Sequence, residues 1–226
     1  GRVLGMAKEK GMKLRGHCLV WHSQTPEWFF SKDFEPSKGL VDKETMKKRM
    51  EVYLQKVLTY CQDNFPGVVY AWDVVNEAMA DGGGYRTESN WYQTYGDESY
   101  ITDAFTFARK YAASEVKLFY NDYNEYVPAK RDLIVELLKD LRGKGLVDGM
   151  GMQSHWDMSF PSVDMLGQAL EEYGKIDGME IQFTEIDMHN TDNSKEGLQK
   201  QAERYKQFFE TILRADRTGT ANVTNV

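Results

Sequence analysis

Cysteine is scarce in this chain, with only Cys18 and Cys61 among 226 residues. A disulfide framework is thereby excluded. Cys18 falls in a strand-like run and Cys61 in a helix-like one, so both are expected to be buried thiols. Positive charge is also short: 28 Lys and Arg stand against 35 Asp and Glu, a net charge of −7, with a pI near 5.2. That balance speaks against nucleic acid or an anionic membrane as partner. No apolar run approaches the roughly 18 residues of a membrane span. Residues 1–11 lack the apolar centre of a secretory signal; they read as the last turns of a helix stopped by Gly11. No low-complexity tract or short repeat occurs, and no glycine-rich phosphate loop follows an early strand.

What is present describes one sizeable core. Hydrophobic content of 41% and charged content of 28% fit an ordinary globular protein, read as a single domain over residues 1–226. Thirteen Tyr and five Trp suit stacking on carbohydrate, although cores also need aromatics.

Strand and helix patterns alternate along the chain. Strands are expected over Lys13–Trp21, Val68–Val75, Val116–Asn121, Gly149–Ser154 and Met179–Ile186. Helices are expected over Asp42–Asn64, Ser99–Ala113, from Pro128 to the stop at Gly143 and Gly145, Val163–Tyr173, and Lys195–Arg214. A long loop containing Gly82, Gly83 and Gly84 follows the second strand, and residues 221–226 read as a strand just starting. Such alternation means parallel strands with helical crossovers. Chemistry-bearing residues finish several of these strands: His17 and Trp21, Asn76 and Glu77, Asn121 to Tyr123, Gln153 and His155, Glu185 and Asp187. That convergence fits a (β/α)8 TIM barrel, whose strand ends share one rim, better than an open sheet. About five complete strands and two stumps are legible, so the barrel is expected to be incomplete.

Two strand-terminal glutamates, Glu77 and Glu185, form the central pair. A lone strand-end glutamate is commonly a surface residue or a helix cap. Two at matching strand ends, each flanked by an amide, an imidazole or a second carboxylate, point instead to glycoside hydrolysis. That chemistry needs one protonated carboxyl for the leaving oxygen and one ionised carboxylate for the anomeric carbon. Asp187, two residues beyond Glu185, is expected to share its face of a regular strand, within reach of His155 from the adjacent strand. A histidine held by one carboxylate and donating to another keeps the latter ionised. Glu185 is therefore assigned as nucleophile. Glu77, beside Asn76 and Trp72, is assigned as acid/base, with a pKa expected to rise among apolar neighbours and a second carboxylate. Asn76 can bond a sugar hydroxyl near the reacting carbon. Trp156 reads equally well as a core ring. His22 has the opposite parity to His17 and is read as structural or supporting, and His189 as an exposed residue.

These segments resemble glycoside hydrolase family 10, the endo-β-1,4-xylanases with a (β/α)8 barrel. RGHCLVWHSQTPEW (15–28) is similar to the family's third strand, with Cys18 where threonine is commoner. WDVVNEA (72–78) is similar to the fourth, FYNDYN (119–124) to the fifth, GMQSHW (151–156) to the sixth, and GMEIQFTEIDM (178–188) to the seventh. The resemblance covers nearly the whole chain, in the family's order. It implies endo-hydrolysis of xylan and xylo-oligosaccharides by a retaining double displacement. Glu185 would be nucleophile, Glu77 acid/base, and His155 and Asp187 would orient Glu185. His17, Trp21 and Gln153 would line the non-reducing-side subsite, Asn76 would bind the hydroxyl next to the anomeric carbon, and Tyr123 would stack on the leaving-group side. No cofactor or metal is implied.

The family's first two strands and most of its eighth fall outside residues 1–226. The resemblance therefore implies a piece of a longer enzyme with two unpaired sheet edges, and a carbohydrate-binding module is conceivable in the full-length protein. Secretion is expected, because long xylan cannot enter a cell. Rival readings are a related barrel glycosidase acting on β-glucan or mannan, an inactive fragment or a non-catalytic xylan-binding barrel, and a metal-dependent hydrolase. Against the last, His17 and His22 are five apart and cannot both ligate from one strand face.

Overall fold

A computed structural model describes residues 1–226. Strands and helices alternate, and all ladder pairings are parallel. In chain order the elements begin with α1 (Arg2–Glu9), β1 (Leu14–Gly16), β2 (Val20–Trp21) and three short 3₁₀ turns between Glu27 and Lys38. Next come α2 (Lys43–Asn64), β3 (Val69–Asn76), α3 (Asn90–Tyr95), α4 (Ser99–Tyr111), β4 (Lys117–Asp122) and α5 (Pro128–Gly143). The chain continues through β5 (Gly149–Met152), β6 (His155–Asp157), α6 (Val163–Gly174), β7 (Glu180–Phe183), β8 (Asp187–His189), α7 (Lys195–Arg217) and β9 (Asn222–Asn225).

Local chemistry accounts for the helices. Asp42 caps α2 by accepting the Thr45 N–H at 2.9 Å, a contact worth about 1 kcal/mol. Met46, Met50, Leu54 and Leu58 then place one buried stripe at i, i+4 spacing. Ser162 and Ser194 cap α6 and α7 in the same way, and Pro128 opens α5 at a position where no N–H is needed. No helix is long and apolar enough to cross a membrane.

The main sheet runs β1-β3-β4-β5-β7-β9, with β2 pairing further along β3. It curls. Arg15 on β1 donates to Gln182 on β7 at 2.6 Å, and Tyr70 on β3 donates to the same Gln182 oxygen at 3.1 Å. Strands lying several places apart in the ladder can share a side-chain contact only if the sheet bends round on itself, as in a barrel wall. The enclosed space is tight: a Cβ on Gly16 would lie 2.2 Å from the Trp72 ring, and one on Gly151 would lie 2.2 Å from Asn121 Oδ1. A 45-residue buried apolar cluster joins the sheet to its outer helices. The incomplete parallel α/β barrel expected from the sequence is the fold observed.

Several boundaries differ from expectation. The strand expected over Lys13–Trp21 is interrupted, since residues 17–19 leave the ladder between β1 and β2. The strands expected over Gly149–Ser154 and Met179–Ile186 each stop early and resume as β6 and β8, which form their own two-stranded ladder. Ser154, at φ +62°, turns the first of these. The second compensates with a bulge. Between the pairs Met152↔Phe183 and His155↔Asp187, two residues (Gln153, Ser154) face three (Thr184, Glu185, Ile186). Glu185 therefore sits in a bulge and not on the regular strand face it was expected to share with Asp187. The helix expected over Ser99–Ala113 ends at Tyr111, the one expected to end at Arg214 runs on to Arg217, and α3 lies within the stretch read as loop. Trp156 is a core ring, stacked on Phe208 at 4.2 Å between centroids. Cys61 is buried as expected, but Cys18 is only partly so.

Candidate active site

The strand ends of the curled sheet bring most of the sequence-predicted residues into one hydrogen-bonded network. Asn76 is the last residue of β3, and Glu77 follows it in the left-handed region at φ +56°, a conformation that costs a non-glycine residue of order 1 kcal/mol or more. Its N–H donates to the Asn121 carbonyl at 2.9 Å, which holds the turn against the end of β4.

The Glu77 carboxylate is surrounded by donors. Oε2 faces Trp21 Nε1 at 2.8 Å and His22 Nε2 at 3.0 Å. Oε1 accepts from Gln153 Nε2 at 2.9 Å and from Asn76 Nδ2 at 3.2 Å. Desolvation is the largest influence on this carboxyl and pushes its pKa up, but the bonds from Gln153, Trp21 and His22 together hold it below the ordinary value. The raised pKa expected from the sequence is therefore not found. Hydrogen bonds to the charged form outweigh burial.

Glu185 is held from two sides. Asn121 Nδ2 donates to its Oε1 at 3.0 Å, and His155 Nε2 lies 3.3 Å from its Oε2. The other nitrogen of His155, Nδ1, lies 2.9 Å from Asp187 Oδ2. One imidazole thus bridges the two carboxylates that the bulge separates. Gln153 links the two halves of the site, because its amide oxygen stands 3.1 Å from His155 Nε2 while its nitrogen donates to Glu77.

Two predicted residues stand outside this network. His17 pairs with the buried Asp73 at 3.0 Å. The bond to Asp73 raises the His17 pKa, with burial opposing it. Tyr123 is anchored by Asp81 at 3.0 Å and by Arg86 at 3.2 Å, and the Lys130 ammonium lies 3.7 Å from its ring centroid. Its link to the pair runs through Arg86, which also bonds the Glu77 carbonyl at 3.1 Å. Beside the network lies a cleft of about 450 Å3 that shares Trp21 with it and is walled further by His17, Gln24, Trp28 and Tyr53. Cys18 also lines this cleft, and burial pushes its thiol up to about 12.

Asn121, which the sequence placed among the polar strand-end residues without a role, and His22, read there as structural or supporting, both contact the glutamate pair. Asn121, fully buried, donates to both Asn76 Oδ1 and Glu185 Oε1 at 3.0 Å and accepts from Thr184 Oγ1 at 2.8 Å. The signal was available: it is an amide closing a buried strand, as Asn76 is. His22 stands beside Glu77 at 3.0 Å, in keeping with a supporting residue, although parity counted from His17 does not hold where the strand is interrupted. No three His, Cys, Asp or Glu side chains converge in a way that could hold a metal ion.

Fold and site together define a parallel α/β-barrel protein of the glycoside hydrolase class, with two carboxylates tied into one network at the carboxyl ends of the strands. The profile of glycosyl hydrolase family 10 matches residues 1–226, and the chain belongs to that family. Endo-1,4-beta-xylanase B of Butyrivibrio fibrisolvens is 49% identical over 224 residues, covering 99% of this chain and 35% of that protein. This chain thus spans about a third of that relative's length. Among solved structures, the CBM22-1–GH10 modules of a Clostridium thermocellum endo-1,4-beta-D-xylanase, complexed with xylohexaose, superpose with a TM-score of 0.91 at 40% identity, covering 100% of this chain and 47% of that one. An intracellular xylanase of Thermoanaerobacterium saccharolyticum, complexed with xylotriose, gives 0.89 at 34%, covering 99% and 68%.

Proposed function

We propose that this chain carries the site of an endo-1,4-β-xylanase that hydrolyses xylan and xylo-oligosaccharides with retention at the anomeric carbon. The supporting observation is the network in which Gln153, Asn121 and His155 tie Glu77 to Glu185. In this reading residues 1–226 are one catalytic domain. Glu185, aimed by Asn121 and His155, attacks the anomeric carbon while Glu77 delivers its proton to the leaving oxygen. Water then enters, Glu77 takes a proton from it, and the glycosyl–Glu185 ester is cleaved. Asp187 holds His155 in place, and Asn76 meets the hydroxyl beside the reacting carbon. His17, Trp21 and Gln153 line the non-reducing-side subsite, and Tyr123 offers a ring on the leaving-group side.

The depressed pKa of Glu77 is compatible with an acid role once sugar is bound. Burial is already the largest influence on it and acts upward. A sugar that displaces water from Oε1 and Oε2 adds to that influence and competes for the Trp21 and Gln153 donors, so the proton returns when it is needed. Secretion remains a proposal from polymer size, since the Thermoanaerobacterium neighbour is described as intracellular. An appended carbohydrate-binding module is proposed by likeness to the CBM22-bearing neighbour.

The test is proton NMR of a xylo-oligosaccharide mixed with the protein, following the first anomeric signal to appear. A β-anomer supports the proposal. An α-anomer overturns the role of Glu185, and cleavage of β-glucan or mannan in preference to xylan overturns the substrate.

A further inference from the structure

Behind the strand ends lies a carboxyl group that the proposed chemistry does not use. Glu125 follows β4 and is completely buried. Its Oε1 accepts from Ser154 Oγ at 2.8 Å, and its Oε2 has no hydrogen-bond partner. An ionised carboxylate would carry a heavy desolvation cost there, whereas a neutral acid removes the charge and gains a proton to donate. Burial pushes this carboxyl up to about 8, against the bonds from its own backbone N–H and from the Ser154 hydroxyl, with Asp122 adding to the rise and Lys130 opposing it. The charged and titratable groups around it are Asp122 on β4, Lys130 on α5, its neighbour Tyr126, and Tyr173 on α6 with Arg131 and Asp132 beyond.

Ser154 stands between two residues of the proposed site. Gln153 on one side holds Glu77, and His155 on the other holds Glu185. The serine is itself fully buried and in the left-handed region, so the turn that aims both neighbours depends on tertiary contacts. Those contacts come from consecutive residues. Glu125 engages the Ser154 side chain, and Tyr126 donates its hydroxyl to the His155 carbonyl at 2.9 Å. The Tyr173 hydroxyl in turn donates to the Glu125 carbonyl at 2.8 Å.

We propose that Glu125 is a positioning residue: as a neutral acid bonded to Ser154 it fixes the Gln153–Ser154–His155 turn, and ionisation of Glu125 loosens the hold on Glu77 and Glu185. The inference rests on the glycosidase reading for its effect on rate, but the turn and its titration can be observed without turnover. Loss of the proton leaves a buried charge whose Oε2 has no partner; the Ser154 hydroxyl and the residue's own N–H favour the charged form less than burial disfavours it, and the segment shifts to admit water or a further donor.

The experiment compares the wild-type chain with Glu125→Gln and Glu125→Ala. The substrate is an aryl β-xylobioside with a good leaving group, so that acid assistance from Glu77 does not shape the alkaline limb. Wild-type kcat is expected to fall as pH rises through about 8, while Glu125→Gln, which stays neutral and still accepts from Ser154, holds its rate. Glu125→Ala lowers kcat by about 10- to 100-fold with little change in KM, as misplacement of reacting groups does. If Glu125→Ala does not fold, Ser154→Ala breaks the same link from the other side and carries the same expectation. Parallel alkaline limbs in wild type and Glu125→Gln, or an unchanged kcat in the alanine variant, overturn the proposal. In parallel, the His155 ring signals, assigned with a His155→Gln variant, are followed by NMR across the same pH range. A step near pH 8 in wild type that is absent from Glu125→Gln supports the coupling even if no glycoside is cleaved, in which case only the functional reading fails. Absence of the step in both overturns the coupling.

Discussion

The side-chain amide of Gln153 stands 2.9 Å from Glu77 Oε1, 76 residues away in sequence, and its other end meets the histidine that touches Glu185. The two carboxylates are therefore not independent groups placed across a cleft. One amide joins Glu77 to the imidazole beside Glu185, and the donors around Glu77 hold its pKa down.

Trp21→Phe keeps the ring and removes the indole N–H that lies 2.8 Å from Glu77 Oε2. That bond is among the contacts holding the Glu77 pKa down, so its loss raises the pKa of the proposed acid/base. The alkaline limb of kcat/KM is expected to move to higher pH, with a loss at the optimum of about tenfold, one charge-assisted bond's worth. A pH–rate profile checks this. A limb that stays in place means Trp21 does not tune Glu77.

Asn121→Ala removes a buried amide from Asn76, Glu185 and Thr184 together. Leaving those partners unpaired should cost about 1–3 kcal/mol of stability, read as a lowered urea midpoint, and kcat should fall more than KM rises because Glu185 loses its aim. Wild-type kcat in the folded variant would remove Asn121 from the site.

Lys130→Met leaves Asp122 without its partner at 2.9 Å, both side chains being fully buried. Asp122 is raised to about 6, chiefly by burial. Because that value lies above the unfolded one, the charge costs stability as pH rises from about 4 to 6, and the cost stays at its full size beyond. The variant should lose about 3–5 kcal/mol at pH 8 and distinctly less near pH 4, where Asp122 is protonated. Unfolding curves at the two pH values decide it, and an equal loss at both would show that the ion pair is not the cause.

Hydrolysis of xylan should be unchanged by EDTA under the two-carboxylate mechanism. Loss of activity on chelation, restored by a divalent cation, would instead support the metal-dependent reading.

Much of this was legible in the sequence. Alternating apolar runs and helical stripes led to the parallel barrel wall, since periodicity follows from local geometry. Glu77 and Glu185 stood out because each closes a buried run beside other polar residues. The path from Asp187 to His155 was also foreseen, but on the assumption of a continuous strand. The bulge at residues 184–186 replaces that strand, and one imidazole spans the gap. Strand parity likewise does not apply at His22, although the supporting place read for it fits its contact with Glu77. Counting from His17 assumes that residues 17–19 stay in the ladder, and they leave it.

The order of elements, the identity of the two glutamates and the class of chemistry were determined by the sequence itself, because each depends on residue type and short-range spacing. Only the tertiary structure decided that hydrogen bonds hold the Glu77 pKa below the ordinary carboxylate value and that Glu125 is a buried acid with one oxygen on Ser154 and the other without a partner. A carboxyl group's charge state follows from its burial and its donors. The donors of Glu77 include Trp21, His22 and Gln153, which stand 55 to 76 residues away along the chain and become neighbours only when the sheet curls.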